Sequence, residues 1–186
     1  MRSSLKFMSE LQMMKRKKRE GVRTCGVDRP NSLADHSFVV AHLAMIIAFY
    51  EGADMDKCIK MALFHDLGEA RIGDNDKITK SYCGSQIKEQ EKALSDQVSS
   101  LDKRLAREIK SLFSEKEGRE TKEAIVVQDA DWLEAAIQAK TYLEMGYKEF
   151  EIWLKNIEKA LVTKSANKIM EELLRADSFI GLYHKK

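Results

Sequence analysis

An all-α fold is predicted for this chain by three features. Its 186 residues include one proline and nine glycines. Apolar residues recur at the helical period of about 3.6 in most segments, and no convincing alternation of period 2 is found. A third of the residues are charged, and no repeat, low-complexity block or Pro/Gly/Ser-rich linker divides the sequence. Residues 1–186 therefore read as a single helical-bundle domain, long enough for a substantial core.

The elements follow in order. A short first helix is expected over 4–15, then a basic, irregular stretch to about residue 31. Ser32-Leu33-Ala34-Asp35 has the capping-box spacing, in which a hydroxyl and a carboxylate three residues on satisfy orphan N–H groups. That places His36 in the first turn of the next helix. This helix runs to about Tyr50 and is apolar nearly all round (Phe38, Val39, Val40, Leu43, Met45, Ile46, Ile47, Phe49), a pattern expected of a helix buried at a domain centre. Glu51-Gly52-Ala53-Asp54 makes a turn into a helix at about 55–70, and positions 71–84, with Gly73 and Gly84, read as a loop. Helices over 85–99, 101–114 and 119–145 follow. The last two, 148–161 and 165–176, carry apolar stripes that pack either on a core at about 30–145 or on a second subunit.

Composition excludes several classes. A formal net charge of +2 implies no global polyanion-binding field. Cys25, Cys58 and Cys83 are odd in number and form no C-x-x-C pair, which fits a reducing cytoplasm and argues against a disulfide framework or a thiolate zinc site. The N-terminus is charged too early for a signal peptide. The longest apolar stretch, 37–50, is interrupted by His42 and is shorter than the ~20 residues of a membrane span. The expectation is a cytoplasmic protein with no membrane segment.

Ionisable groups inside core-forming patterns carry the chemistry, because a buried charge is expected to be paired or to bind metal. His36 continues the row Val39, Val40, Leu43, and His65-Asp66 follow Met61, Ala62, Leu63 and Phe64. Asp131 lies on the row Ala124, Val127, Ala135 of AIVVQDADWLEAAI. Two imidazoles and two carboxylates from three packed helices would form a mixed N/O site for a divalent cation. Periodicity does not choose between Asp131 and Asp129. His42 and His184 are assigned the ordinary role of hydrogen-bonded histidines.

The ordered set His36 … His65-Asp66 … Asp131 resembles the HD-domain metal-dependent phosphohydrolases, whose motif is H…HD…D on separate helices. It is most similar to the 5′-deoxynucleotidase branch, which shows an arginine-containing N-terminal segment, a [D/E]-H-S turn, H-D-x-x-E, a G-D and a later A-D. Here these read Arg19, ADHSFVVA (34–41), HDLGE (65–69), GD (73–74) and DADWLEA (129–135). The resemblance spans roughly residues 5–175. It implies that His36, His65, Asp66 and Asp131 are the metal ligands, selecting Asp131 over Asp129. It further implies that Glu69 and Asp74 serve catalysis or substrate positioning and that Arg19 contacts the substrate phosphate. Two departures leave sugar selectivity open. Val22 stands where the family often has a tryptophan that helps exclude a ribose 2′-hydroxyl, and Asn75-Asp76 follow the G-D.

The implied activity is removal of the 5′-phosphate from nucleoside or deoxynucleoside monophosphates by attack of a metal-bound water. The metal is Mn²⁺, Co²⁺, Mg²⁺, Fe²⁺ or Zn²⁺, and an octahedral ion with four protein ligands would keep two positions open. Glu69, four residues after His65 on one helical face, could orient or deprotonate the water. Asp74 could protonate the leaving oxygen or hold the sugar, and the guanidinium of Arg19 suits phosphate. By the same analogy the chain is expected to be a homodimer. The alternatives are another HD-type nucleotide phosphohydrolase or phosphodiesterase, or a helical nucleic-acid-binding module using the basic run Lys15–Arg19. The first is weakened by Ala70 in place of an acid after H-D-x-x-E and by the scarcity of histidines, the second by the near-neutral net charge.

Overall fold

The computed structural model describes residues 2–176, so His184 lies outside the described residues. They form eleven helices and no strand: α1 (Arg2–Met14), α2 (Glu20–Thr24), α3 (Leu33–Glu51), α4 (Met55–Phe64), α5 (Glu69–Ile72), α6 (Lys77–Cys83), α7 (Ile87–Val98), α8 (Lys103–Gly118), α9 (Lys122–Glu144), α10 (Phe150–Ala160) and α11 (Lys164–Arg175). The all-α expectation holds.

Two groups of buried side chains organise the packing. The larger joins α3, α4, α9, α10 and α11 through Val40, Ile47, Met61, Val127, Leu133, Phe150 and Met170. The smaller joins α1, α7 and α8 to the start of α3 and the turn after α4, through Met14, Leu33, Leu67, Leu94 and Ile109. Phe64 packs against both. The turn that follows it, which carries His65 and Asp66, therefore lies where the two clusters meet. Helices α10 and α11 pack on α9 of the same chain, so their stripes are buried internally.

Four expectations are corrected. The irregular stretch before residue 31 contains α2, and the 71–84 loop contains α6, capped by Asp76, which accepts from Ile78 N at 2.7 Å and Thr79 N at 3.0 Å. The expected 55–70 helix stops at Phe64. There the backbone tightens into i→i+3 bonds (Leu67 N to Phe64 O, Glu69 N to Asp66 O, Ala70 N to Leu67 O) before α5 begins. Finally, α3 is buried on one face only. Val40, Ala44 and Ile47 are buried, whereas Phe38, Phe49 and Tyr50 are 63%, 66% and 70% exposed. By length and composition α3 could cross a membrane, but its inner face is packed against α4 and α9 as a core helix.

Candidate metal centre

Local structure aims each group of the site. The capping box forms as predicted: Ser32 N donates to Asp35 Oδ2 at 2.8 Å, and Asp35 N donates to Ser32 Oγ at 3.2 Å. It fixes the start of α3 and leaves His36 fully buried on the inner face. The tight turn after Phe64 presents His65 and Asp66 side by side, and Asp131 comes from the middle of α9. Arg19 is brought in by backbone pairing of residues 17–19 with the chain before α3. Arg19 N donates to Asn31 O at 3.1 Å, and Leu33 N to Lys17 O at 3.0 Å.

These four side chains converge. His36 Nε2 lies 3.2 Å from Asp131 Oδ1 and 3.5 Å from Asp66 Oδ2. His65 Nε2 lies 3.2 Å from Asp66 Oδ2 and 4.0 Å from Asp131 Oδ1. The opposite ring nitrogens are fixed from behind: His36 Nδ1 by Glu134 Oε2 at 2.5 Å, and His65 Nδ1 by the Ala62 carbonyl at 2.6 Å. With Nδ1 tied from behind, each ring once singly protonated would turn the Nε2 lone pair inward, the arrangement seen in metal-ligating histidines. Both Nε2 atoms are buried and neither makes a hydrogen bond of acceptable geometry. Ligand atoms of His36, His65 and Asp131 fall within 4.8 Å of one another, close enough to hold one cation, with Asp66 Oδ2 beside them. The donor set of imidazole nitrogens and carboxylate oxygens fits a borderline or hard divalent ion, and no cysteine approaches it.

Electrostatics support the same reading. Burial opposes the ionised forms of Asp66 and Asp131, yet His65 and His36 hold both carboxyls well below the usual range. Burial and the Arg19 charge work against a charged His36, but Asp131 and Glu134 outweigh them and raise its pKa to about 9. A cation binding there would displace that proton. Arg19 spans the acids: Nη1 is 3.7 Å from Asp66 Oδ2 and Nε is 3.7 Å from Asp74 Oδ2. Asp74 also accepts from Glu20 N at 2.8 Å, and burial pushes its carboxyl up despite Arg19. Glu69 is buried and pushed well above its ordinary value, first by burial and then by the charges of Asp66 and Asp74.

A cavity of about 300 Å³ opens over the cluster, lined by Arg19, Asp66, Glu69, Asp74, Lys116 and Asp131 among others. Every predicted site residue except the two buried histidines beneath it faces this cavity. Glu69 reaches it from the start of α5, so it shares the site with His65 without sharing a continuous helical face. Gln90 Nε2 donates to Glu69 Oε1 at 3.0 Å. That contact depends on Gly68, where a Cβ would lie 2.7 Å from the Gln90 carbonyl oxygen, so only glycine lets α7 come this close.

Sequence reasoning missed Glu134, Gln90 and Lys116. Glu134 was findable, since it stands three residues after Asp131 in the same apolar run. Lys116 is buried on α8, donates to Glu117 Oε1 at 2.9 Å and is held charged against burial by Asp131 and Glu117. Asp129 points the other way. It accepts from Val162 N at 3.1 Å, Thr163 N at 2.6 Å and Thr163 Oγ1 at 2.7 Å, fixing the turn into α11. His42 is an exposed histidine bonded to the Phe38 carbonyl.

The chain is similar to known proteins in sequence and in fold. The chain is 35% identical over 152 residues to the 5′-deoxynucleotidase HDDC2 of Dictyostelium discoideum, covering 76% of this chain and 78% of that one. It is 29% identical over 179 residues to the 5′-deoxynucleotidase hdd1 of Schizosaccharomyces pombe, covering 91% and 90%. A conserved hypothetical protein from Pyrococcus furiosus superposes with a TM-score of 0.77 at 31% identity, covering 92% of this chain and 99% of that one. The HD domain matches residues 11–174, from the end of α1 to the end of α11, so it takes in every residue of the cluster, and the chain belongs to the HD domain family.

Proposed function

We propose that this protein is a metal-dependent phosphohydrolase that removes the 5′-phosphate from nucleoside or deoxynucleoside monophosphates. One observation carries the reading. Two buried imidazole nitrogens converge with two carboxylates at the floor of a cavity whose wall holds an arginine. The names of the relatives in Dictyostelium and fission yeast support a nucleotide as the substrate.

In this reading His36, His65, Asp66 and Asp131 hold a divalent cation, one of Mn²⁺, Co²⁺, Mg²⁺, Fe²⁺ or Zn²⁺. When bound, such an ion supplies Lewis acidity towards phosphate and makes water more acidic. The chain's own groups do the rest. Arg19 offers its planar fork to the phosphate oxygens and is kept in place by Asp74. Glu69, in the cavity wall beside Asp66, orients the attacking water or takes its proton. Asp74, in the same wall, protonates the leaving 5′-oxygen or holds the sugar. Lys116 adds positive charge to the wall of the same cavity.

The test is phosphate release by metal-reconstituted protein from a panel of ribo- and deoxyribonucleoside 5′-monophosphates. Absence of release with every common divalent metal would refute the reading.

We also propose a homodimer, supported by the exposed apolar face of α3, and a cytoplasmic location, supported by three free cysteines.

A further inference from the structure

A second cavity, of about 600 Å³, adjoins the first and shares Arg19, Asp74, Lys80, Asp131 and Trp132 with it. Its volume falls within the roughly 300–1,000 Å³ of small-molecule sites, and its walls combine aromatic and aliphatic groups with charged and polar ones. Trp132, Trp153, Ala135, Ile157 and Ile78 supply the apolar part.

The two indoles are held in place. Arg119 caps α8 in the left-handed conformation (φ 53°) and sets its guanidinium 5.8 Å over the Trp132 ring. Trp153 packs beside Phe150, with ring centroids 5.2 Å apart, and its far edge lies against Gly21. A Cβ at position 21 would stand 3.1 Å from Trp153 Cη2, so the glycine makes this close approach possible. Val22, by contrast, is buried in the core and is no part of the cavity wall.

We propose that this cavity takes the nucleoside half of the substrate, with the base lying against Trp132 and Trp153 as its stacking platform. The inference rests on the phosphohydrolase reading for the position of the phosphate. Trp132 follows Asp131 directly and borders both cavities, so a nucleotide with its phosphate at Arg19 reaches the larger cavity without leaving protein. An aromatic face suits any base, because every base has a π-face to stack on it. Binding of the base then belongs to α9 and α10, not to position 22.

The chain has only two tryptophans, both in this cavity, so intrinsic fluorescence reports on it directly. Rapid mixing of the metal-loaded protein with a nucleoside 5′-monophosphate should give saturable quenching. 2-Deoxyribose 5-phosphate, which has no base, should leave the emission unchanged. In turnover, Trp132→Leu and Trp153→Leu should each raise KM for the nucleotide about tenfold, the scale of a lost base–aromatic stack. Hydrolysis of the sugar phosphate by Trp153→Leu, whose position lies outside the catalytic cavity, should change less than twofold, and Trp153→Phe should recover most of the loss. Emission that ignores the nucleotide, or equal losses on both substrates, would overturn the assignment. If no phosphate ester is hydrolysed at all, the phosphohydrolase reading fails, while the fluorescence titration of the unaltered protein still decides whether a base binds here.

Discussion

Glu134 Oε2 meets His36 Nδ1 at 2.5 Å in the buried interface between α3 and α9. This contact fixes which way the His36 ring turns, and with it the inward lone pair on Nε2. A carboxylate behind a metal-bound imidazole also raises its basicity, and loss of such a partner typically lowers metal affinity about 10–100-fold. Glu134→Ala should therefore weaken metal binding by that factor in a chelator competition, with activity restored by excess metal. Unchanged affinity would show that the ring is held by packing alone.

Asp129 and Asp131 should separate stability from metal binding. Asp129 satisfies three donors at the α10–α11 turn, and its removal leaves the two buried Thr163 donors unpaired, at about 2–4 kcal/mol. Asp129→Ala should lower the melting temperature by on the order of 10 °C and leave metal stoichiometry unchanged. Asp131→Ala should abolish metal binding without a comparable loss of melting temperature in the metal-free protein. Elemental analysis beside calorimetry would decide.

That pair also marks how far the sequence could be read. The helical period and the Ser32/Asp35 box located α3 and His36, because both depend on local backbone chemistry. Two residues apart on one helix, Asp129 and Asp131 face nearly opposite directions, and period alone cannot say which direction holds the site; the family motif could. The break after Phe64 was not legible because i→i+3 bonds leave the apolar pattern of 61–67 unaltered. Helix α6 was hidden between two glycines that bracket it. The outward face of α3 read as core because composition does not distinguish a face covered by the chain from one left bare. Trp153 lies 22 residues after Asp131, and only the docking of α10 on α9 brings them to one cavity.

Glu69 should be a residue whose charge weakens the fold. Burial and the charges of Asp66 and Asp74 raise its pKa above that of the unfolded chain, about 4.3. Its carboxyl then favours the folded state fully below the unfolded value, and that contribution is lost as pH rises through the folded value. At neutral pH the isosteric Glu69→Gln keeps an oxygen for Gln90 and removes the penalty. The variant should melt higher than the parent at pH 7–8, with the gain fading towards pH 4. Its turnover should fall by about 10²-fold or more, as expected for loss of a general base. A variant that melts lower at neutral pH would contradict the direction of the shift.

The two faces of α3 give the last prediction. His36, Val40, Ala44 and Ile47 lie on the inner face; Phe38, Met45, Ile46 and Phe49 follow one another at helical spacing on the outer face, where Tyr50 and Met55 extend the patch. Met45, Ile46, Phe49, Tyr50 and Met55 also line a shallow apolar pocket. A patch of this kind on a helix already anchored by its other face is suited to self-association, since a two-fold axis would place the same stripe on both sides. Phe49→Glu should convert the proposed dimer to a monomer in light scattering at micromolar concentration. Because the substitution points away from His36, metal stoichiometry should stay the same. A parent protein that is monomeric throughout that range would refute the dimer. A variant that stays dimeric would move the interface elsewhere on the surface.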